Sequence, residues 1–312
     1  MRMIDQLIMK IRVSAAVPIL FLLFSGTVSA QQEIQFTQYM YNTVLVNSAY
    51  AGSRNALNIS GTYRSQWVGL EGAPRTLSFS AHGPLRNRLA LGVSVLRDEI
   101  GPAIESSYVM DMSYTLDLRR VKLAFGLKAG MSNLDVDFNR LNTYDPTDVE
   151  LVQNINQISP QFGVGAYLYS QRWYLGISSP NVLETDHYDQ IAVSTASERL
   201  HLYAITGYVF GVGDNIKVKP AALLKMVSGS PLSLDISANV MVDEKLILGT
   251  SYRWDASISA LVGFQLSDDL MLGYAYDFDT TEISAYNSGS HEIFLRFMIW
   301  NRRSGKVSPR FF

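Results

Sequence analysis

Hydrophobic and polar residues alternate along most of this chain with a period of two, the spacing that sends successive side chains to opposite faces of a β-strand. Between Ile216 and Met226, one face carries Val218, Pro220, Ala222, Leu224 and Met226, and the other carries Lys217, Lys219, Ala221, Leu223 and Lys225. All the lysines of that stretch fall on one side. From Leu232 to Val242, Leu232, Leu234, Ile236, Ala238, Val240 and Val242 oppose Ser233, Asp235, Ser237 and Asn239. In the same way Tyr108, Met110, Met112, Tyr114, Leu116 and Leu118 oppose Ser107, Asp111, Ser113, Thr115 and Asp117. Such segments predict about fourteen strands, near residues 57–67, 75–83, 88–98, 104–118, 121–133, 160–170, 172–179, 199–210, 216–227, 231–243, 245–255, 257–267, 269–279 and 289–300.

So many two-faced strands need an apolar surrounding for one face. Only 17% of the residues are charged, against 47% hydrophobic, which is too apolar for a water-facing sandwich of this many strands. No apolar run after residue 30 is long enough for a membrane-spanning helix. An all-β, antiparallel transmembrane β-barrel satisfies both facts, because alternate residues face lipid and the rest face the interior. A Lys or Arg facing lipid at the midplane costs about 2–4 kcal/mol, which fixes the outward face strand by strand. Aromatic residues near strand ends, Tyr63 with Trp67, Trp173 with Tyr174, Tyr252 with Trp254 and Phe297 with Trp300, suit interfacial girdles. The connections alternate in length: those near Pro84 to Asn87, Arg119-Arg120, Ser170 to Arg172, Gly211 to Asn215, Asp243 to Lys245 and Ser267 to Asp269 are brief. The long ones, Leu134 to Ser159, Pro180 to Glu198 and Thr280 to Ser288, all belong to the other set. Short periplasmic turns and long outer loops then give an even strand count with both termini periplasmic.

The first thirty residues have the pattern of an export signal. Arg2, Lys10 and Arg12 precede an apolar stretch from Val13 to Phe24, and Val28-Ser29-Ala30 offers a small-residue cleavage site. The expected organisation is a signal peptide over 1–30, a segment over 31–56 acting as a plug or a periplasmic docking surface, a barrel over 57–300 and a periplasmic tail over 301–312. Without the signal the net charge is about −4, which leaves no footprint for nucleic acid, and there is no cysteine for a disulfide. The destination is the bacterial outer membrane, with membrane lipid as the first partner.

Catalytic and metal chemistry find little material. His82, His187, His201 and His291 are scattered, with no spacing that suits a metal site or a hydrolytic pair, and no cofactor motif occurs. Asp135, Asp137, Asp145, Asp148 and Glu150 cluster around one loop, where a solvated acidic loop is the simpler reading than weak calcium binding. Arg64, Arg97, Asp111, Asp117, Lys217, Lys219, Lys225, Asp235, Glu292 and Arg296 fall on polar faces, where they either line a passage or brace a filled lumen. Arg302, Arg303, Lys306 and Arg310 follow the last strand as a basic tail or as a contact for an acidic partner.

The most distinctive sequence comes first in the exported chain. Gln35 to Asn42 reads Gln-Phe-Thr-Gln-Tyr-Met-Tyr-Asn, Asn47 to Ser53 reads Asn-Ser-Ala-Tyr-Ala-Gly-Ser, and the hairpin from Tyr63 to Leu85 turns through Gly69, Gly72 and Pro74. Together with Gly289 to Ile293 and the final Ser308 to Phe312, these stretches resemble the PorP/SprF family of outer-membrane proteins linked to type IX secretion and gliding in Bacteroidetes. The sequence departs where the family has Asn-Pro, since Thr43 follows Asn42 and Ser48 follows Asn47. The resemblance implies a fourteen-stranded barrel, shaped like hydrophobic-substrate transporters, that serves the secretion machinery and its exported adhesins as an attachment or assembly partner. On that reading Phe36, Gln38, Tyr39, Met40, Tyr41, Asn42, Asn47, Tyr50 and Gly52 are candidates for binding a periplasmic or cell-surface protein. Tyr63, Arg64, Trp67, Gly69, Gly72, Pro74 and Arg75 form the first-hairpin motif. The expected function is a non-enzymatic anchor, and the alternative is a diffusion channel or hydrophobic-ligand transporter.

Overall fold

The computed structural model describes residues 35–140, 154–183, 200–227 and 230–300. Strands β1 (Ala56–Ser65), β2 (Arg75–Arg86), β3 (Leu89–Ile100), β4 (Ala103–Leu118) and β5 (Val121–Val136) form a continuous antiparallel meander. It continues through β6 (Ile155–Tyr169), β7 (Trp173–Ser179), β8 (His201–Tyr208) and β9 (Phe210–Val212). After these come β10 (Ile216–Val227), β11 (Ser233–Val242), β12 (Leu246–Arg253), β13 (Ser257–Gln265), β14 (Leu270–Asp279) and β15 (Ser290–Trp300). β8 and β9 are one stave interrupted at Val209, because Gly207 opposite Ala221 and Phe210 opposite Val218 keep a single register against β10. Pairing of β1 with β15, from Ala56 opposite Trp300 to Ser65 opposite His291, closes a fourteen-strand barrel.

Burial is inverted relative to a water-soluble protein, as the alternation requires. On β4, Met110 is 62% exposed on the outer surface, and Ser113 is fully buried inside. On β1 and β2 the outward row is Leu57, Tyr63, Leu77 and Phe79, and the inward row is Asn58, Ser60, Thr62, Ser78 and Ser80. Small polar residues make up most of these inward rows, beside the larger Arg64 and His82. Lipid-facing apolar residues cover the outside.

The described turns also alternate. Asn87-Arg88, Arg119-Arg120 and Ser170 to Arg172 make tight reversals at one end, where Asn87 and Arg119 take left-handed backbone conformations. The first hairpin's connection, 66–74, and the ten-residue connection 280–289 lie at the other end, and Val68 and Gly289 pair across them. Several boundaries differ from expectation. β6 begins at Ile155, five residues before Pro160, because Ile155 to Ser159 pair with an equally extended β5. The connection expected over Leu134 to Ser159 is therefore shorter at both ends.

Two side chains face the other way from the expectation. Arg97 shares the outer row of β3 with Val93 and Val95, and Asp98 is the inward residue, accepting a hydrogen bond from Thr76 Oγ1 at 2.5 Å. Near the loop end of a strand an outward Arg costs only about 0–1 kcal/mol, so lipid does not forbid it. Tyr174 is buried inside the barrel, because neighbours on a strand cannot share a face and Leu175 takes the outer side. Asp117 keeps the inward parity but lies exposed at the short-turn end. The segment over 1–30 expected to be a signal, His187, the acidic residues Asp145, Asp148 and Glu150, and the basic residues after the last strand lie outside the described residues.

Candidate functional site

Residues 35–55 run lengthwise through the lumen. At the long-connection end Arg253 Nη1 donates to Gln35 Oε1 at 2.7 Å. At the short-turn end Gly52 N–H donates to His82 Nδ1 at 3.2 Å, and the chain then turns into β1. The barrel's first and last paired residues, Ala56 and Trp300, are at that second end, so Gln35 and the end of β15 lie at opposite mouths.

Charged groups fix the entry of this segment. Arg64 of β1 lies 2.6 Å from Asp277 of β14 and 3.2 Å from Glu292 of β15, with all three side chains almost fully buried. Thr37 Oγ1 donates to Asp277 Oδ2 at 2.6 Å and accepts from Arg64 Nη1 at 2.8 Å. The Glu292 carboxylate accepts both the Thr37 N–H at 2.8 Å and the Gln38 N–H at 2.9 Å. Two carboxylates around one guanidinium leave one negative charge, and these segment donors supply the remaining hydrogen bonds that a buried ionic group requires.

Further along, the wall supplies donors where the segment offers carbonyls. Lys128 of β5 lies 3.6 Å from Asp111 of β4 and donates to the carbonyl of Leu45 at 2.9 Å. Ser178 of β7 donates to the carbonyl of Val46 at 2.7 Å, and Ser113 of β4 donates to that of Ala49 at 3.1 Å. Two short 3₁₀ turns, Thr43–Leu45 and Ser48–Tyr50, follow Asn42 and Asn47. Thr43 and Ser48 thus occupy the first helical position, the one where the Asn-Pro pattern would put proline at no cost in hydrogen bonds. Asn47 accepts from the Ala49 N–H at 3.0 Å and donates to the carbonyl of Ala166 on β6 at 3.1 Å. Wall glycines make room for this approach: a Cβ on Gly126 would run into the backbone of Ala49, and one on Gly165 into the side-chain oxygen of Asn47.

Each predicted partner-binding residue can now be located. Gln38, Tyr39, Met40, Tyr41, Asn42, Asn47 and Tyr50 are all buried, and Phe36 packs against the same cluster. Tyr41 stacks on Phe294 at 5.4 Å, Tyr50 meets His82 and Tyr167 edge-on, and Ser80 Oγ donates to Asn42 Oδ1 at 2.7 Å. Gly52 turns in the left-handed region over Ala90. In this arrangement the contacts of these side chains are with their own barrel.

The hairpin motif divides between faces. Arg64 points inward, and Tyr63 and Arg75 are exposed outside. Trp67 is half-buried, Gly69 and Gly72 have positive φ in the exposed turn, and Pro74 lines a cavity of about 200 Å³ with Trp67, Arg64, Asp98 and Arg253. Asp277, Lys128, Ser178 and the wall glycines escaped the sequence reading. Their inward parity was legible, but the loop-like segment they hold has no periodicity to announce its path.

A family model described as type IX secretion system membrane protein PorP/SprF matches residues 28–297. The chain belongs to the PorP/SprF family. No curated protein shows significant similarity to it. Among solved structures, Omp33 of Acinetobacter baumannii is 12% identical with a TM-score of 0.48, covering 80% of this chain and 99% of its own. The toluene transporter TbuX of Ralstonia pickettii is 10% identical with a TM-score of 0.46, covering 81% and 92%. A FadL homologue of Pseudomonas aeruginosa is 12% identical with a TM-score of 0.42, covering 78% and 89%. As a PorP/SprF barrel the chain is an outer-membrane component of type IX secretion, with membrane lipid against its outer face.

Proposed function

We propose that this PorP/SprF protein is a non-enzymatic, plugged anchor that holds a periplasmic partner or an exported adhesin of the secretion and gliding apparatus. Residues 1–30 act as a cleavable signal, 31–56 as the plug with its flanks, and 301–312 as a periplasmic tail. The single observation that supports a plug is the network joining Thr37 and Gln38 to Arg64, Asp277 and Glu292, which ties the segment across the lumen between β1, β14 and β15. A freely open diffusion channel has no use for a lumen crossed by a hydrogen-bonded peptide. With its predicted binding residues facing their own barrel, the plug acts on a partner indirectly, by keeping the mouths in shape. Among the described residues, the exposed hairpin tip around Gly69 and Gly72 and the short-turn rim are surfaces open to contact.

Conductance of the intact protein in planar bilayers tests this reading. Small or absent currents are expected, with a large steady pore on deletion of residues 35–52. A large steady pore in the intact protein would favour the diffusion-channel alternative. Affinity purification tests the second part: the deleted protein, still inserted, is expected to lose its type IX partner.

A further inference from the structure

The cavity of about 200 Å³ at the long-connection mouth is walled by distant parts of the chain. Gln35 comes from the lumen segment, Trp67 and Pro74 from the first hairpin's connection, Asp98 from β3, Ser257 from β13 and Asp279 from the end of β14. Liquid water takes roughly 30 Å³ per molecule, so the space suits a small organic molecule.

The cations on this wall are already paired. Arg64 lies between Asp277 and Glu292, and Arg253 Nε lies 2.7 Å from Asp235 Oδ1. Asp98 is the opposite case: it is 6% exposed, Thr76 donates to it, and no cation is paired with it among the described residues. Asp279 has the neutral side chains of Asn287 and Trp67 against its carboxylate, and the cation that bears on it is Arg64, already shared by two other carboxylates. Its Oδ2, out of contact with solvent, accepts no hydrogen bond among the described residues. The balance of the wall is therefore negative. Ser257 Oγ and Arg64 Nε are also buried on this wall without hydrogen-bond partners.

A buried carboxylate without a counter-charge is costly, and buried polar atoms without partners mark a missing one. The ring of Trp67 beside the carboxylates favours an organic cation, which an aromatic face attracts. Trp67 also holds a left-handed backbone with φ 45°, which a bulky residue adopts only under constraint. Its N–H donates to Ser290 Oγ at 3.2 Å, and Val68 pairs with Ser288 and Gly289 on the facing connection. Backbone strain of this kind is kept where a ligand is clamped.

We propose that this cavity binds a small organic ammonium that also carries an oxygen acceptor, with the chemistry of ethanolamine. The ammonium goes to Asp98 beside the Trp67 ring, with Asp279 adding negative charge, and the oxygen goes to the Ser257 hydroxyl and Arg64 Nε. Asp98 and Ser257 are inward residues, so the ligand is a soluble amine and not a lipid headgroup. Bound there, it joins the entry of the lumen segment at Gln35 to the first hairpin. The site rests on these wall residues and not on the identity of any secretion partner, so a failed pull-down leaves it intact.

The test uses the full detergent-solubilised protein in an amine-free buffer at neutral pH. Ethanolammonium replaces sodium at constant ionic strength, and the unfolding temperature is followed. Binding to the folded state alone raises that temperature until the site saturates. A saturable rise is expected in the unaltered protein and in Asp117→Asn, whose carboxylate lies exposed at the short-turn end, and it is expected to vanish in Asp98→Asn. Ethylene glycol, which has the oxygen but not the charge, should give no saturable rise. No rise in the unaltered protein, an equal rise with ethylene glycol, or an equal rise in Asp98→Asn overturns the proposal. If Asp98→Asn does not fold, Asp279→Asn takes its place with the same expected and overturning results.

Discussion

Arg64 Nη2 and Asp277 Oδ2 lie 2.6 Å apart, each side chain only 2% exposed, at the point where the lumen segment meets the wall. Removing one member of a buried pair leaves an uncompensated charge, which typically costs about 3–5 kcal/mol. Arg64→Met is therefore expected to lower the unfolding temperature of the micelle-bound protein by several degrees. The loosened segment should also become sensitive to trypsin at Arg54, which is buried in the intact barrel. Unchanged stability and unchanged proteolysis would contradict the pinning role.

Asn47 and Ser48 are adjacent but differ in what they hold. Asn47 both caps the turn at Ser48–Tyr50 and bonds β6, and Ser48 Oγ is buried with no partner. Asn47→Ala should destabilise by about 1–2 kcal/mol, the usual scale for losing a cap and a buried hydrogen bond. Ser48→Ala removes an unsatisfied hydroxyl and should be neutral or slightly stabilising. Denaturant midpoints of the two variants in one detergent measure the contrast.

Gly165 faces the side-chain oxygen of Asn47 so closely that no Cβ fits between them. Gly165→Val is expected to expel this part of the segment while the strand register survives. The readouts are increased proteolysis within residues 43–50 and a rise in bilayer conductance, with the heat-modifiable gel mobility of a folded barrel retained. Wild-type conductance in a folded Gly165→Val barrel would show that the segment does not block the lumen.

Met110 stands outward near the middle of β4, and Leu118 stands at that strand's short-turn end. Met110→Arg should cost about 2–4 kcal/mol and impair insertion into lipid vesicles, whereas Leu118→Arg should cost about 0–1 kcal/mol. Equal insertion yields would argue against the membrane depth assigned to these residues.

The fourteen strands were legible because a barrel in lipid imposes the same demand on each of them. One face must be apolar, and a one-residue slip would put Lys219 or Asp235 into hydrocarbon. The misassigned positions lie where that demand weakens. Arg97 is near a strand end, where the lipid cost of charge is small, and Tyr174 is near the start of β7, where its neighbour Leu175 holds the outer face.

Residues 35–55 are the other case. Their apolar content and family motifs are visible in the sequence, but a non-repeating segment carries no period from which its course can be read. Its burial depends on contacts separated by hundreds of positions, such as Thr37 with Glu292 and Asn47 with Ala166.

The sequence by itself determined the closed, two-faced barrel, since strand alternation is a local property imposed by lipid on one side. Only the tertiary structure decided that the lumen is crossed from one mouth to the other and that Gly126 and Gly165 leave space for the crossing. It also decided that Arg64 sits between two carboxylates while Arg296 lies over the Tyr41 ring. Those outcomes depend on which strands come to face each other across the lumen, and closure of the ring sets that.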